Sequence, residues 1–152
     1  MAYEISIIIP AYNEEESIAS VVDRVQAVLN EHNHSYEILV IDDGSLDKTG
    51  GKATQAGAQV ITHPYNIGNG AAVKTGIRHA KGDLIVMMDG DSQHAPEDIP
   101  RLISEMKTYD MVVGARTIES ETHVHRDFAN QIYNALASYV CGWKIEDLTS
   151  GF

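Results

Sequence analysis

An α/β sandwich built on a largely parallel sheet is the fold this sequence predicts, on two observations. Short apolar runs alternate with helical segments, and polar and charged residues collect directly after those runs. The runs are EISIIIP (4–10), YEILVID (36–42), DLIVMMD (83–89) and DMVVGAR (110–116), with AQVITH (58–63) as a weaker candidate. They lack the apolar/polar alternation of a strand with one wet face, so helices should cover both faces of the sheet. Helical character lies between them, at 15–31, 71–81 and 96–107. A further helical pattern at 128–143 puts Phe128, Ile132, Leu136, Tyr139, Val140 and Trp143 near one face, suited to core packing or to a membrane-facing surface.

With 152 residues and 43% hydrophobic content, one domain spanning 1–152 is expected, burying roughly 70% of the surface its unfolded chain exposes. No repeat, low-complexity tract or linker divides it. The chain stops at Asp147-Leu-Thr-Ser-Gly-Phe152, a polar, turn-like stretch without a closing element, and so reads as a domain incomplete at its C-terminus.

Twenty-two acidic against eleven basic residues give a formal charge of -11, which opposes attraction to a nucleic-acid backbone and to anionic lipid headgroups. An anionic ligand must therefore meet a local positive centre. The single cysteine, Cys141, cannot form an internal disulfide. The apolar run Ile5 to Ile9 is too short for a signal peptide or membrane span. A cytoplasmic location follows, with peripheral attachment to the cytoplasmic membrane face left open.

In a parallel α/β sheet, ligands gather at the carboxyl ends of the strands. Pro10, Tyr12, Asn13 and Glu14 follow the first run, Asp42 and Asp43 end the second, Asp89 and Asp91 follow the fourth, and Arg116 ends the fifth. In LIVMMDGDSQH the two acids are separated by one residue, Gly90, which is expected to let the backbone turn tightly. Two carboxylates about 4 Å apart repel by roughly 1 kcal/mol in water and about 4 kcal/mol at an effective dielectric near 20. A divalent cation removes that conflict, and hard oxygen donors of this kind suit Mg²⁺ or Mn²⁺, with Gln93 able to add a carbonyl. An Asp-Gly-Asp sequence alone is more often a solvated turn; its place after an apolar strand favours the metal.

Asp42 and Asp43 form a second acidic pair, able to accept hydrogen bonds from base N–H or sugar hydroxyl groups, while Ser45 or Asp47 can cap the helix that follows. Asn66-Ile-Gly-Asn-Gly70 stands where a helix should start and can bring backbone N–H groups near phosphate. It is neither a P-loop nor a dinucleotide fingerprint, and plain helix initiation explains it equally well. His94, His123 and His125 read as surface or loop residues, because the hard-cation site already has oxygen ligands.

Taken together, PAYNEEESI, VIDDGSLDKTG, NIGNGAAVKTGI, AKGDLIVMMDGDSQHAPEDI, VVGAR and DLTSGF resemble the inverting family 2 glycosyltransferases, nearest the polyprenol-phosphate (dolichol-phosphate) sugar transferase branch. Six motifs in the same order and spacing cover nearly the whole chain. The resemblance implies a GT-A type nucleotide-sugar-binding sandwich that moves a hexose from GDP-mannose or a UDP-sugar to polyprenyl or dolichyl phosphate. It implies that Pro10, Tyr12, Glu14 and one or both of Asp42 and Asp43 contact the nucleoside, and that Asp89, Asp91 and Gln93 hold the metal and diphosphate. Arg116 would face the reacting phosphates, making Asp91 and Arg116 the residues expected to carry catalysis, with Arg126 a second cation for the acceptor phosphate. Were the acceptor a sugar hydroxyl, a carboxylate would have to take its proton, and Glu146-Asp147 is the place for it. A non-catalytic nucleotide-binding fragment is the remaining alternative. Many relatives carry lysine where this chain has Asn69, so Lys74, one helical turn on, is the nearest substitute.

Overall fold

The computed structural model describes residues 3–91 and 94–114. Four strands, β1 (Tyr3–Ala11), β2 (Tyr36–Asp42), β3 (Gln59–Thr62) and β4 (Gly82–Met87), form one sheet in the order β3-β2-β1-β4. Every pairing is parallel. Among the described residues four α-helices connect or flank them: α1 (Ile18–Glu31), α2 (Thr49–Gln55), α3 (Asn69–His79) and α4 (Ile99–Glu105), the last preceded by a 3-10 turn at Pro96–Asp98.

The central strand explains the missing alternation. Ile5, Ile7, Ile8 and Ile9 are all fully buried, because helices cover both faces. Ile5, Ile7 and Ile9 join Ile38 and Val40 of β2 against Ile18, Val21, Val22, Val25 and Leu29 of α1, with Ala53 and Ile99 in the same cluster. Ile8, Leu39 and Ile41 point the other way and meet Ala72 of α3. Each such isoleucine contributes roughly 1.5–3 kcal/mol through burial. At the amino end of the sheet a buried carboxylate, Glu37, accepts hydrogen bonds from Ser6 Oγ (2.7 Å) and the Lys81 amide (2.6 Å).

The expected helices form with shifted boundaries. That expected at 15–31 starts at Ile18, and residues 15–17 form a turn in which the Ser17 and Ile18 amides both donate to the Glu14 carbonyl. That expected at 71–81 begins two residues earlier, at Asn69, directly after Gly68. The segment 96–107 divides into the 3-10 turn and α4. The weak strand candidate is real, as the edge strand β3. Of the run at 110–116, residues 110–114 adopt no strand and the remainder lies outside the described residues, as do the pattern at 128–143, Cys141, His123, His125, Glu146 and Asp147.

Beside β4, which ends the sheet among the described residues, runs an apolar groove of about 360 Å³, lined among others by Val73, Leu84, Ile85, Met87, Leu102 and Met106. Among the described residues, no helix is long and apolar enough to cross a membrane.

Candidate functional site

Strand register aligns the carboxyl ends. Ala11 pairs with Asp42, Asp42 with Thr62, and Ile8 with Met87. Backbone bonds extend the ladder past the strands: Asp43 N–H to Ala11 O (2.9 Å), His63 N–H to Asp42 O (2.8 Å) and Met88 N–H to Ile8 O (3.1 Å). The residues after each strand therefore emerge side by side. They enclose a polar cleft of about 280 Å³ lined by Pro10, Tyr12, Glu14, Asp43, Asn69, Asp89 and Asp91, with Ala11, Asn66, Ala72 and Gly90 completing it.

Side chains of the β2–α2 loop fix the loop after β1. Asn13, in the left-handed region at φ 55°, donates its N–H to Ser45 Oγ (3.0 Å) and accepts the Leu46 N–H on Oδ1 (2.9 Å). Glu14 N–H donates to Thr49 Oγ1 (2.8 Å), and Glu15 N–H to Asp47 Oδ2 (3.1 Å). The other oxygen of Asp47, the residue before the N-cap Lys48, accepts the Thr49 N–H (2.9 Å), and Lys48 makes no side-chain cap bond of its own. Burial alone would raise the Asp47 pKa, but hydrogen bonds from Thr49 and from the Glu15 amide hold it below the usual carboxylate range. These loop-to-loop bonds hold Tyr12, which is 41% exposed, and half-buried Glu14 at the cleft.

The two adjacent acids of β2's end separate, as consecutive residues leaving a strand do. Asp42 is buried, accepts the Ser45 N–H on Oδ1 (3.0 Å), and is absent from the cleft lining. Asp43 lines the cleft, with only 3% of its surface exposed. Its Oδ1 meets His63 Nδ1 at 2.6 Å and accepts the Ile67 N–H (3.0 Å), while Oδ2 accepts the Gly68 N–H (2.7 Å). Burial pushes the Asp43 pKa up, and the bonds from His63 and the two amides, with the charge of His63, outweigh it and hold the carboxyl below its ordinary value. The Gly68 amide is thus committed to Asp43 rather than turned toward a phosphate. Gly68 itself sits at φ 111°, a conformation side-chain-bearing residues rarely adopt.

The Asp-Gly-Asp turn is anchored from two sides. Ser17 Oγ donates to Gly90 O (2.7 Å), and His94 Nδ1 accepts the Asp89 N–H (3.0 Å). That bond makes Nδ1 the unprotonated ring nitrogen and places His94 beneath the turn, its side chain 11% exposed, rather than on the surface. Gly90 is not in the left-handed region, and a Cβ there would meet Ile18 Cδ1 at 3.4 Å, an ordinary contact. The expected tight-turn role of this glycine is therefore corrected: it is not required by backbone conformation. Asp89 and Asp91 both open onto the cleft.

Among the described residues no three His, Cys, Asp or Glu side chains converge tightly enough to hold a metal alone. Two carboxylates on a polar cleft suit a hard cation that completes its shell with a ligand's phosphate oxygens and water. Gln93, Arg116 and Arg126, also expected at the site, lie outside the described residues. His63 and its partner Thr75 escaped the sequence reading. The only signal was a histidine directly after a strand.

Comparison with known proteins adds to this geometry. Residues 6–152 match the model of glycosyl transferase family 2. The chain is 34% identical over 150 residues to an undecaprenyl-phosphate 4-deoxy-4-formamido-L-arabinose transferase of Photorhabdus laumondii, covering 95% of this chain and 46% of that protein. It is 34% identical over 152 residues to a dodecaprenyl-phosphate galacturonate synthase of Rhizobium johnstonii, covering 95% and 45%. The chain thus spans about half the length of the curated relatives it matches. Among solved structures, glucosyl-3-phosphoglycerate synthase of Mycobacterium tuberculosis with Mg²⁺ and UDP superposes with a TM-score of 0.61 at 29% identity, over 73% of this chain and 42% of that one. The same enzyme with Mn²⁺, UDP and phosphoglyceric acid gives a TM-score of 0.76 at 23% identity over 98% and 54%. The fold is of the GT-A type. With nearly every residue matched by one family and the strand-end motifs in register, the chain belongs to glycosyl transferase family 2.

Proposed function

We propose that this chain is the donor-binding portion of an inverting hexosyltransferase that takes a sugar from a nucleoside diphosphate and delivers it to a polyprenyl or dolichyl phosphate. The observation that carries this reading is the cleft itself, which gathers Pro10, Tyr12, Glu14, Asp43, Asp89 and Asp91 at one sheet edge. The two curated relatives named above share a polyprenyl phosphate in their names and differ in the sugar. They therefore support the acceptor class more than any one donor sugar.

In this reading Tyr12, Glu14 and Asp43 receive the nucleoside against Pro10, and Asp89 and Asp91, with Gln93, hold Mg²⁺ or Mn²⁺ and the diphosphate. Asp42 serves the nucleoside indirectly, by holding the turn that presents Asp43. When bound, the cation neutralises charge on the departing nucleoside diphosphate, an effect that grows toward the transition state. Inversion places the acceptor opposite the leaving group. A phosphate monoester is largely dianionic near neutral pH, its second pKa being about 6, and needs no strong base. Arg116, with Arg126, is assigned to offset its charge as it approaches the donor. The acceptor resides in a membrane, so the working protein meets it at the cytoplasmic membrane surface.

The test is a thermal-shift and calorimetric panel of UDP and GDP with and without Mn²⁺. One nucleotide should stabilise the folded chain in a metal-dependent way, and Asp91→Ala should abolish the metal dependence. A folded sample that responds to neither nucleotide, or an Asp91→Ala response equal to wild type, overturns the reading.

A further inference from the structure

We propose that His63 is a positioning residue for the nucleoside, acting through Asp43. The inference rests on reading the cleft as a nucleotide site.

Both ring nitrogens of His63 are engaged in a buried environment. Nδ1 lies 2.6 Å from Asp43 Oδ1 and Nε2 lies 2.9 Å from Thr75 Oγ1, while the ring's own residue is 9% exposed. A carboxylate only accepts, so Nδ1 carries a proton; Nε2 accepts the Thr75 hydroxyl proton in the neutral ring and donates to the same oxygen in the charged one. This chain of bonds crosses three elements. It starts at the end of β2, passes through the residue after β3 and ends on the second turn of α3, whose first residue, Asn69, lines the same cleft as Asp43.

Counting acceptors shows what the arrangement presents. An ionised carboxylate has about four lone-pair sites, two on each oxygen. Oδ1 is filled by His63 and the Ile67 amide, and Oδ2 accepts the Gly68 amide, leaving one site on Oδ2. A buried carboxylate held by three donors cannot swing. It offers the cleft one fixed acceptor, which suits a single N–H or O–H of a base or ribose and repels a phosphate. His63 sets that orientation, because it is the one side chain among the three donors and is itself held from behind by Thr75 of α3.

The experiment measures binding of UDP and GDP, each with Mn²⁺, by calorimetry, with inorganic pyrophosphate and Mn²⁺ as the nucleoside-free probe. The variants are His63→Leu, His63→Asn, His63→Gln and Thr75→Val, each at a temperature where circular dichroism shows it folded. His63→Leu should weaken the nucleotide that wild type binds by about tenfold, with pyrophosphate affinity unchanged. His63→Asn, whose amide nitrogen reaches the Nδ1 position, should restore most of the loss. His63→Gln, which reaches the Nε2 position, should restore little, and Thr75→Val should weaken binding about threefold. Parallel loss of nucleotide and pyrophosphate affinity, or equal affinities for the Asn and Leu variants, overturns the proposal in favour of a purely structural histidine. If His63→Leu does not fold, the contrast between the Asn and Gln variants decides in the same way. Weakening by Asp43→Asn but by none of the His63 variants overturns this proposal and leaves the nucleotide reading standing. A wild-type chain that binds neither nucleotide overturns both.

Discussion

Ser17 Oγ donates a 2.7 Å hydrogen bond to the carbonyl of Gly90, 73 residues further along the chain. The entry to α1 is thereby joined to the turn that carries Asp89 and Asp91. Glu14 Oε2, at 3.0 Å, competes for the same single hydroxyl proton, so the bond also couples the loop after β1 to the loop after β4.

Ser17→Ala should loosen that turn while leaving the fold intact. Stability is expected to fall by about 1 kcal/mol, the net worth of one hydrogen bond, and Mn²⁺-dependent nucleotide affinity several-fold. Denaturant titration and calorimetry on the same samples separate the two effects.

Asp43→Asn should show a pH-dependent cost. A carboxylate that is a stronger acid folded than unfolded contributes stability above its unfolded pKa of about 3.9 and loses it as pH falls through the lower folded value. Asp43 is such a group. The substitution is therefore expected to cost about 1.5–3 kcal/mol at pH 7, and the gap to wild type should close as pH falls below about 4. Urea unfolding at pH 7, 5 and 3.5 checks the sign; a gap that widens on acidification would contradict it.

Gly44→Ala should be among the most damaging single changes. Gly44 has φ +72°, and a Cβ there would lie 2.4 Å from the carbonyl carbon of Tyr65 and 2.6 Å from its Cα, backbone atoms that cannot step aside cheaply. Left-handed strain of about 1–2 kcal/mol adds to overpacking of about 1–3 kcal/mol. The midpoint of chemical denaturation should fall accordingly, and the β2–α2 and β3–α3 loops, which touch at this point, should lose amide-exchange protection together.

Glu37→Ala provides the control at the opposite end of the sheet. It leaves the Ser6 hydroxyl and the Lys81 amide without their carboxylate, at a cost of about 2–4 kcal/mol. Nucleotide affinity, measured where the variant is folded, should match wild type. A loss of affinity would show that the cleft responds to general softening of the sheet.

Much of the site was legible because strand ends are legible. Runs such as EISIIIP and DLIVMMD mark where buried backbone stops, and the polar residues that follow must emerge on one edge of a parallel sheet. Pro10, Tyr12, Glu14, Asp43, Asp89 and Asp91 all arrive there. Helix starts were less legible. Ile18 rather than Glu15 opens α1, after a turn closed on the Glu14 carbonyl, and the Glu14 and Glu15 amides before it are held by Thr49 and Asp47, over 30 residues away.

By itself the sequence determined the parallel α/β architecture, the edge at which the acids collect and the family to which the chain belongs, because periodicity and motif order are properties of neighbouring residues. Only the tertiary structure decided the division of labour between Asp42 and Asp43, the place of His94 beneath Asp89, and the link from Asp43 through His63 to Thr75. Those depend on which side chains meet across the fold, and a hydrogen bond spanning 12 or 20 residues leaves no periodic trace in the chain that makes it.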